Sequence, residues 1–283
     1  MRERPAAISV REAAVAGSWY AGSAVALRAD VARYLEAATV PALPGRLVAL
    51  IAPHAGLMYS GPVAAFAYKT LVGHAPATAI LVGPSHRAVL DGVSVYAAGA
   101  FETPLGRIPI DGVLAARLLA AHPMIVDAPA PHREEHSLEM QLPFLQHVAP
   151  RASIVPVLMG TQSDEEIDTL APALAEAARG RDDVLLIASS DLSHYHPAPV
   201  ANRLDAEVVE EVSRFDALAL QGRLARSHEH ACGGGPMVAV MKAARSLGAT
   251  RATVLRYADS GDAGAGDKSR VVGYLAAAFT APA

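Results

Sequence analysis

The sequence contains a single cysteine, Cys232, so no disulfide bond can form within the chain. Lysine and arginine number 24 against 28 aspartate and glutamate residues, and the basic residues are scattered, which argues against binding of nucleic acid or of an anionic membrane. Every uncharged apolar run, including the one at 271–281, is shorter than the ~18 residues that cross a bilayer. The charged N-terminal segment also lacks the apolar core of a signal peptide, so we expect a protein of the reducing cytoplasm.

Apolar residues make up 52% of the 283 positions, which is enough to build a sizeable core. Six short runs rich in Val, Ile and Leu are separated by segments with helical periodicity, a pattern typical of strands buried on both faces of a sheet. These runs are 47–52, 79–82, 154–159, 184–188, 253–257 and 271–275. The Pro- and Gly-rich pieces between them are short enough to be loops, so residues 1–283 are interpreted as one α/β domain.

Three helical stripes of apolar residues lie between these runs. Ser23 and Ser163 are candidate N-caps of the first two helices, and Glu166 has the spacing of a capping box with Ser163. A further helix is expected to begin at Pro236, because proline is favoured at the first helical position. The stripes consist of Leu27, Val31 and Leu35, of Ile167, Leu170 and Leu174, and of Leu204, Val208 and Val212.

Three of the apolar runs end in compact polar clusters, which contain His54, His86 and the pair Asp191 and His194. In open α/β sheets, ligands bind in the crevice beyond the carboxyl ends of the strands. We therefore expect His54 and His86 to converge there as neutral nitrogen ligands of one metal ion. Cys232 is the candidate third ligand, since it precedes a predicted helix whose N-terminal dipole favours the thiolate.

Each of these residues also has a simpler interpretation. A histidine near a strand end, or a lone buried cysteine, is commonly structural. Asp191 and His194 are spaced as an oriented acid/base pair, but Asp191 would equally cap the following turn while His194 lies exposed. For Cys232 a local zinc site with His228 and His230 is a second interpretation, because alternate residues of an extended segment share one face. That site leaves the strand-end histidines unexplained.

The motifs, taken in order, resemble those of the Memo family (mediator of cell motility), also named the B component of the AmmeMemoRadiSam system. The resemblance covers nearly the whole chain. It includes segments 16–20, 52–56, 83–86, 135–143, 154–158, 189–191, 232–236 and 257–258. The family is similar in fold to the class III extradiol dioxygenases, which implies a three-layer αβα sandwich around a central mixed, largely parallel sheet.

The resemblance implies that His54, His86 and Cys232 hold a single metal ion. Fe(II) is the expected ion, and Cu(I) or Zn(II) are alternatives because a thiolate is softer than the carboxylate that the dioxygenases use. The family's pocket pair corresponds to Asp191 and His194, and the catalytic histidine of the dioxygenases corresponds to His194.

Further motif positions are expected to line or support the pocket as substrate-binding residues or as residues behind the ligands. These are Trp19, Tyr59, His136 and Glu139. Core packing is the alternative for Trp19, and a charge on a helix surface is the alternative for Glu139. Gln141 stands where some relatives carry histidine, and we assign it no role.

The function implied by the resemblance is that of a non-haem iron-dependent oxidoreductase, similar to a dioxygenase, acting on a small aromatic or heterocyclic substrate. The alternative is a non-catalytic protein that binds copper, iron or a peptide in the same pocket. The family's bacterial setting also implies a functional link to a radical-SAM enzyme and an AMMECR-like protein.

Overall fold

The computed structural model describes residues 9–227, 229–263 and 266–282. The strands are β1 (Val10–Arg11), β2 (Arg46–Ala52), β3 (Thr78–Pro84), β4 (Val93–Val95), β5 (Ala100–Thr103), β6 (Gly106–Pro109), β7 (Ile125–Asp127), β8 (Ser153–Met159), β9 (Val184–Ser189), β10 (His194–His196), β11 (Arg251–Asp259) and β12 (Val271–Ala281). The helices are α1 (Ala24–Ala37), α2 (Leu57–Lys69), α3 (Gly112–Leu119), α4 (Leu142–Val148), α5 (Asp164–Ala178), α6 (Ala198–Ser213), α7 (Ala217–Leu224), α8 (Gly234–Ser246) and α9 (Ser260–Ala263).

Within the described residues, nine strands form one mixed sheet in the order β10-β12-β2-β9-β3-β8-β4-β7, and β11 pairs with β12. The four central strands β2, β9, β3 and β8 run parallel to one another. The outer strands include antiparallel pairs, β12 with β2 and β4 with β8. Parallel strands place their carboxyl ends at the same edge, so the residues that follow β2, β3 and β9 are brought together.

Apolar cores cover both faces of this sheet, which gives the three layers that the resemblance implied. Adjacent residues of a strand point to opposite faces, and in β3 Ile80 and Val82 enter one core while Leu81 enters the other. Helices α3, α5, α6, α7 and α8 contribute to the first core, and α1, α2 and α4 contribute to the second. The predicted αβα sandwich is confirmed.

All six predicted strands are present, and both predicted N-caps are confirmed. The Ser23 hydroxyl accepts a hydrogen bond from the backbone of Ala26, and that of Ser163 accepts one from Glu166. The Glu166 carboxylate does not close a capping box, because it accepts from the backbone N–H groups of Thr161 and Gln162.

One predicted helix boundary was wrong, and one sheet was not foreseen. Helix α8 begins at Gly234, so Pro236 is its third residue; proline fits there because the N–H groups of the first turn have no partner within the helix. Strands β1, β5 and β6 form a separate three-stranded sheet.

No helix among residues 9–227, 229–263 and 266–282 is long and apolar enough to cross a bilayer.

Candidate metal centre

Three histidine side chains meet beyond the carboxyl ends of the central strands. His54 is the second residue after β2, His86 is the second residue after β3, and His136 lies in the segment before α4. Each offers a ligand atom, and these atoms all lie within 4.8 Å of one another. The ring centroids are 5.2 Å apart for His54 and His86 and 4.6 Å apart for His86 and His136. Small side-chain movements would bring all three nitrogens within bonding distance of one ion.

Hydrogen bonding fixes the tautomer of His54. The Ser189 hydroxyl donates to the carbonyl of Ser137 at 2.7 Å, so its oxygen must accept from Nδ1 of His54 at 2.9 Å. The proton therefore sits on Nδ1, and the lone pair of Nε2 is available. Burial, followed by the charges of His86 and His136, lowers the pKa of His54 well below its usual value. A buried neutral imidazole with a free Nε2 is suited to bind a metal.

Glu135 performs the same function for His86. Its Oε1 accepts from Nδ1 of His86 at 3.0 Å and from the backbone of Ser137 at 2.8 Å, and its Oε2 accepts from the backbone of His86 at 2.5 Å. Burial acts to raise the pKa of Glu135, but the hydrogen bond from His86 and the charges of His86 and His136 lower it below its usual range. An ionised Glu135 can only accept hydrogen bonds, so Nδ1 of His86 carries a proton.

His136 contacts the same carboxylate. Its Nδ1 lies 3.3 Å from Oε1 of Glu135, and burial lowers the pKa of His136 to about 4. The sequence motif indicated a pocket residue at position 136, whereas the geometry includes His136 among the three grouped donors. Glu135 was missed, although a carboxylate directly before a candidate histidine is a readable signal for a residue that orients ligands.

Cys232 contacts His54 but lies outside the group of three donors. Its Sγ is 3.2 Å from Nε2 of His54. Burial and then the negative charge of Asp191 raise the pKa of the thiol, against the lowering that we expected from a helix dipole. The S–H group therefore donates to the free Nε2 of His54, and a bound cation would have to displace that proton. The assignment of Cys232 as the third ligand stays a prediction.

The loop that carries Cys232 is held by Gln162, which lies beyond the end of β8. Its side-chain amide donates to the carbonyl of Cys232 at 2.8 Å and accepts from the backbone of Gly235 at 2.9 Å. A Cβ atom at Gly233 would lie 2.4 Å from the carbonyl oxygen of Ser189, so only glycine fits there. These contacts fix the position of the sulfur relative to β9.

The alternative zinc site near Cys232 has less support. Nε2 of His230 lies 3.3 Å from Oε2 of Glu207, and its Nδ1 lies 3.4 Å from the carbonyl oxygen of Ser227. Both ring nitrogens of His230 therefore have partners within the protein. His228, the other proposed ligand, lies outside the described residues.

Asp191 and His194 both line the cavity in front of the histidines. Oδ1 of Asp191 accepts from the backbone of His54 at 2.7 Å and of Ala55 at 3.3 Å, so the carboxylate fixes the loop that presents His54. Burial raises the pKa of Asp191 to about 7 and lowers that of His194. Neutral His194 is able to accept a proton, and the catalytic role of this pair stays a prediction.

The cavity has a volume of about 750 Å³, and its walls include Trp19 and Tyr59. The Trp19 ring lies 4.3 Å from that of His136, centroid to centroid. Tyr59 stands at the mouth and is 44% exposed. Glu139 does not belong to the lining, since it is fully buried and forms an ion pair with Arg11.

Glu139 supports the pocket indirectly. Its carboxylate accepts from the backbone of Ala14 at 2.8 Å and of Val15 at 3.1 Å, and from the Tyr20 hydroxyl at 2.5 Å. These partners lie on both sides of Trp19 in the sequence, so the buried carboxylate holds the segment that carries the indole.

Gln141 supports His54 through a serine. Its amide donates to the Ser189 hydroxyl at 2.7 Å and to the carbonyl of Pro53 at 3.1 Å, and its oxygen accepts from Tyr68 at 2.7 Å. The glutamine at this position therefore takes part in the network that fixes the tautomer of His54.

Comparison of the amino-acid sequence with known proteins identifies the family of this chain. The model of the family described as "Memo-like protein" matches residues 11–278. A MEMO1 family protein from Methanothermobacter thermautotrophicus is 40% identical over 274 residues, covering 94% of this chain and 98% of the relative. One from Methanosarcina mazei is 39% identical over 274 residues, covering 95% and 98%. The crystal structure of an uncharacterized protein from Escherichia coli K12 matches 81% of this chain and 99% of its own with a TM-score of 0.54; at 16% identity it shows the fold alone. The chain belongs to the Memo-like protein family.

Proposed function

We propose that this protein binds a single metal ion at His54 and His86 and uses it in an oxidoreductase reaction on a small organic molecule. Cys232 is the proposed third ligand, and His136 lies close enough to be a further donor. The observation that carries the proposal is that both strand-end imidazoles hydrogen-bond through Nδ1 to a residue behind them, Ser189 or Glu135, and group with His136 so that one ligand atom of each lies within 4.8 Å of the others. Fe(II) is the proposed ion, with Cu(I) and Zn(II) as alternatives.

The chain's own residues supply positioning and proton transfer. When bound, iron would add a redox-active Lewis acid at the base of the cavity. His194 lines the same cavity and is kept neutral by burial, so it is the proposed acceptor for a substrate proton. Trp19 and Tyr59 provide apolar surface for a planar substrate. A volume of about 750 Å³ falls within the range of small-molecule sites.

The second candidate is a protein that binds copper or iron without catalysis, or that binds a peptide in the same cavity. The Cys232 sulfur beside His54 favours the copper version, since thiolate and imidazole together suit Cu(I). A functional link to a radical-SAM enzyme and an AMMECR-like protein is also proposed from the family alone, and a location in the cytoplasm is proposed from the single cysteine.

Metal analysis of untagged protein tests the proposal. We expect about one ion per chain in the wild type and loss of that ion in a His54→Gln, His86→Gln double variant. Cys232→Ser and His136→Gln would show which of these two residues contributes the third bond. His196→Gln is a matched control, because His196 is outside the donor group.

Oxygen uptake separates the two candidate functions. Iron-loaded protein that consumes oxygen with a catechol-like or heterocyclic compound, and loses this activity in His194→Gln while keeping its metal, would support the oxidoreductase. Tight Cu(I) binding without any oxygen uptake would support the binder, and wild-type protein that takes up no metal would contradict both metal-dependent versions.

A further inference from the structure

Arg270 stands at the mouth of the cavity, directly before β12. Its guanidinium lies 5.3 Å from the centroid of the Tyr195 ring. Tyr195 has a left-handed backbone, with φ of 62°, at the irregularity of β10 between His194 and His196. This conformation is strained for a residue other than glycine. Tyr195, which is 63% exposed, keeps this conformation while its ring faces the guanidinium.

The acidic residues near Arg270 have other partners. Nζ of Lys268 binds Asp259 at 2.6 Å and Asp262 at 2.5 Å. The carboxylate of Asp267, which also lines the cavity, accepts from the backbone of Ser269 at 2.8 Å. Within the described part of the chain, Arg270 takes part in no salt bridge, so its charge is available to a ligand.

Arg270 is also the one lysine or arginine among the described residues that line this cavity. The remaining acidic or imidazole groups that line it are four histidines, Asp267 and Asp191. Oδ1 of Asp191 faces the backbone of the His54 loop. The cavity therefore has aromatic walls, histidines at its base and one guanidinium at its mouth.

We propose that Arg270 selects a small planar organic anion, binding its carboxylate at the mouth while the ring lies along the aromatic walls. A guanidinium binds a carboxylate through two parallel hydrogen bonds, and stacking on Tyr195 orders the side chain before the ligand arrives. This inference rests on the proposed function, because it names the substrate class of the same cavity. The end of the ligand opposite the carboxylate faces the histidines, so Arg270 determines both the charge and the orientation of the substrate.

The test compares 3,4-dihydroxybenzoate with 3,4-dihydroxybenzamide, which share the ring and the diol and differ in charge at one position. Affinities for the Zn(II)-loaded and the metal-free protein are measured by titration calorimetry at pH 7.5. Quenching of Trp19, the single tryptophan of the chain, reports whether the probe enters the cavity. We expect the acid to bind wild-type protein about tenfold more tightly than the amide, as a charge-assisted hydrogen bond provides.

Three variants complete the test. Arg270→Gln should bind both probes equally, and Arg270→Lys should keep part of the preference as a point charge. Arg226→Gln removes an exposed arginine that does not line the cavity, and it should retain the full preference. Because Arg270 is exposed, these variants should fold as the wild type does.

Equal affinities in the wild type, a preference that survives in Arg270→Gln, or binding of neither probe would each overturn the inference. The preference for the acid should persist without metal, although both affinities would be lower. Failure of the metal hypothesis, seen as absence of bound ion, is therefore distinguishable from failure of the proposed role of Arg270.

Discussion

The substitution Glu135→Gln changes one oxygen of a buried carboxylate into an NH₂ group. In the wild type both oxygens accept hydrogen bonds, Oε2 from the backbone of His86 and Oε1 from Nδ1 of His86 and the backbone of Ser137. If the amide nitrogen takes the place of Oε2, it faces an N–H donor. If it takes the place of Oε1, it faces two. Neither orientation of the glutamine satisfies every donor.

The magnitude follows from this count. A buried donor left without an acceptor costs about 1–3 kcal/mol, and loss of a group that orients a ligating histidine weakens metal binding about 10- to 100-fold. The orientation of the glutamine that places the amide nitrogen beside Nδ1 of His86 also favours the other tautomer of this histidine, in which Nε2 carries the proton. We therefore expect Glu135→Gln to lower both the free energy of unfolding and the affinity for Zn(II).

Urea unfolding measures the first quantity, and competition with a chromophoric chelator measures the second. Glu134→Gln is the matched control, because Glu134 is the adjacent glutamate, is exposed and lies outside the donor group. If Glu135→Gln binds Zn(II) within about twofold of the wild type, the inference that this carboxylate orients His86 is refuted.

Further predictions concern the parts of the chain that support the site. Gln162→Leu should release the Cys232 loop, so that the single thiol reacts faster with a disulfide reagent, and the unfolding free energy should fall by about 1–3 kcal/mol because the buried N–H of Gly235 loses its acceptor. Zn(II) binding should release about one proton from Cys232 at pH 7, measured by calorimetry in buffers of different ionisation enthalpy, and Cys232→Ser should release none. Burial lowers the pKa of His132 to about 3, so below pH 6.5 the unfolded state binds the proton first and the protein loses stability. Between pH 6.5 and 5 this loss should be roughly 2 kcal/mol in urea unfolding, and His132→Gln should lack that contribution. Arg11→Leu should cost about 3–5 kcal/mol in the same assay, because it leaves the charge of Glu139 buried without its partner.

The central sheet was predictable because its strands are buried on both faces and are therefore continuously apolar. All seven residues of β3 are buried, for example, so the run at 79–82 stood out from the polar segments around it. The short strands β5 and β6 have mixed burial and few residues, and β5 also pairs with the distant β1. Local pattern contains no information about such pairing.

The strand ends were predictable for a related reason. His54, His86 and Asp191 each stand two residues beyond a parallel strand, so topology alone brings them to one edge. His136 does not follow a strand of the central sheet, and Glu135 reaches the site only through the path of the chain before α4. Their position depends on tertiary packing, which spacing along the sequence cannot supply.

The two strand-end imidazoles are held by different chemistry, and this difference bears on which ion would fit. Glu135 is ionised and places one negative charge beside His86, whereas the group beside His54 is the neutral Ser189 hydroxyl. Cys232 adds a second negative charge only by losing its proton, which a cation promotes more strongly as its charge increases. Asp191 adds negative charge beside Cys232, so a divalent ion would balance more of the buried negative charge than Cu(I) would. Charge balance therefore favours Fe(II) or Zn(II) over Cu(I), in agreement with the proposed function.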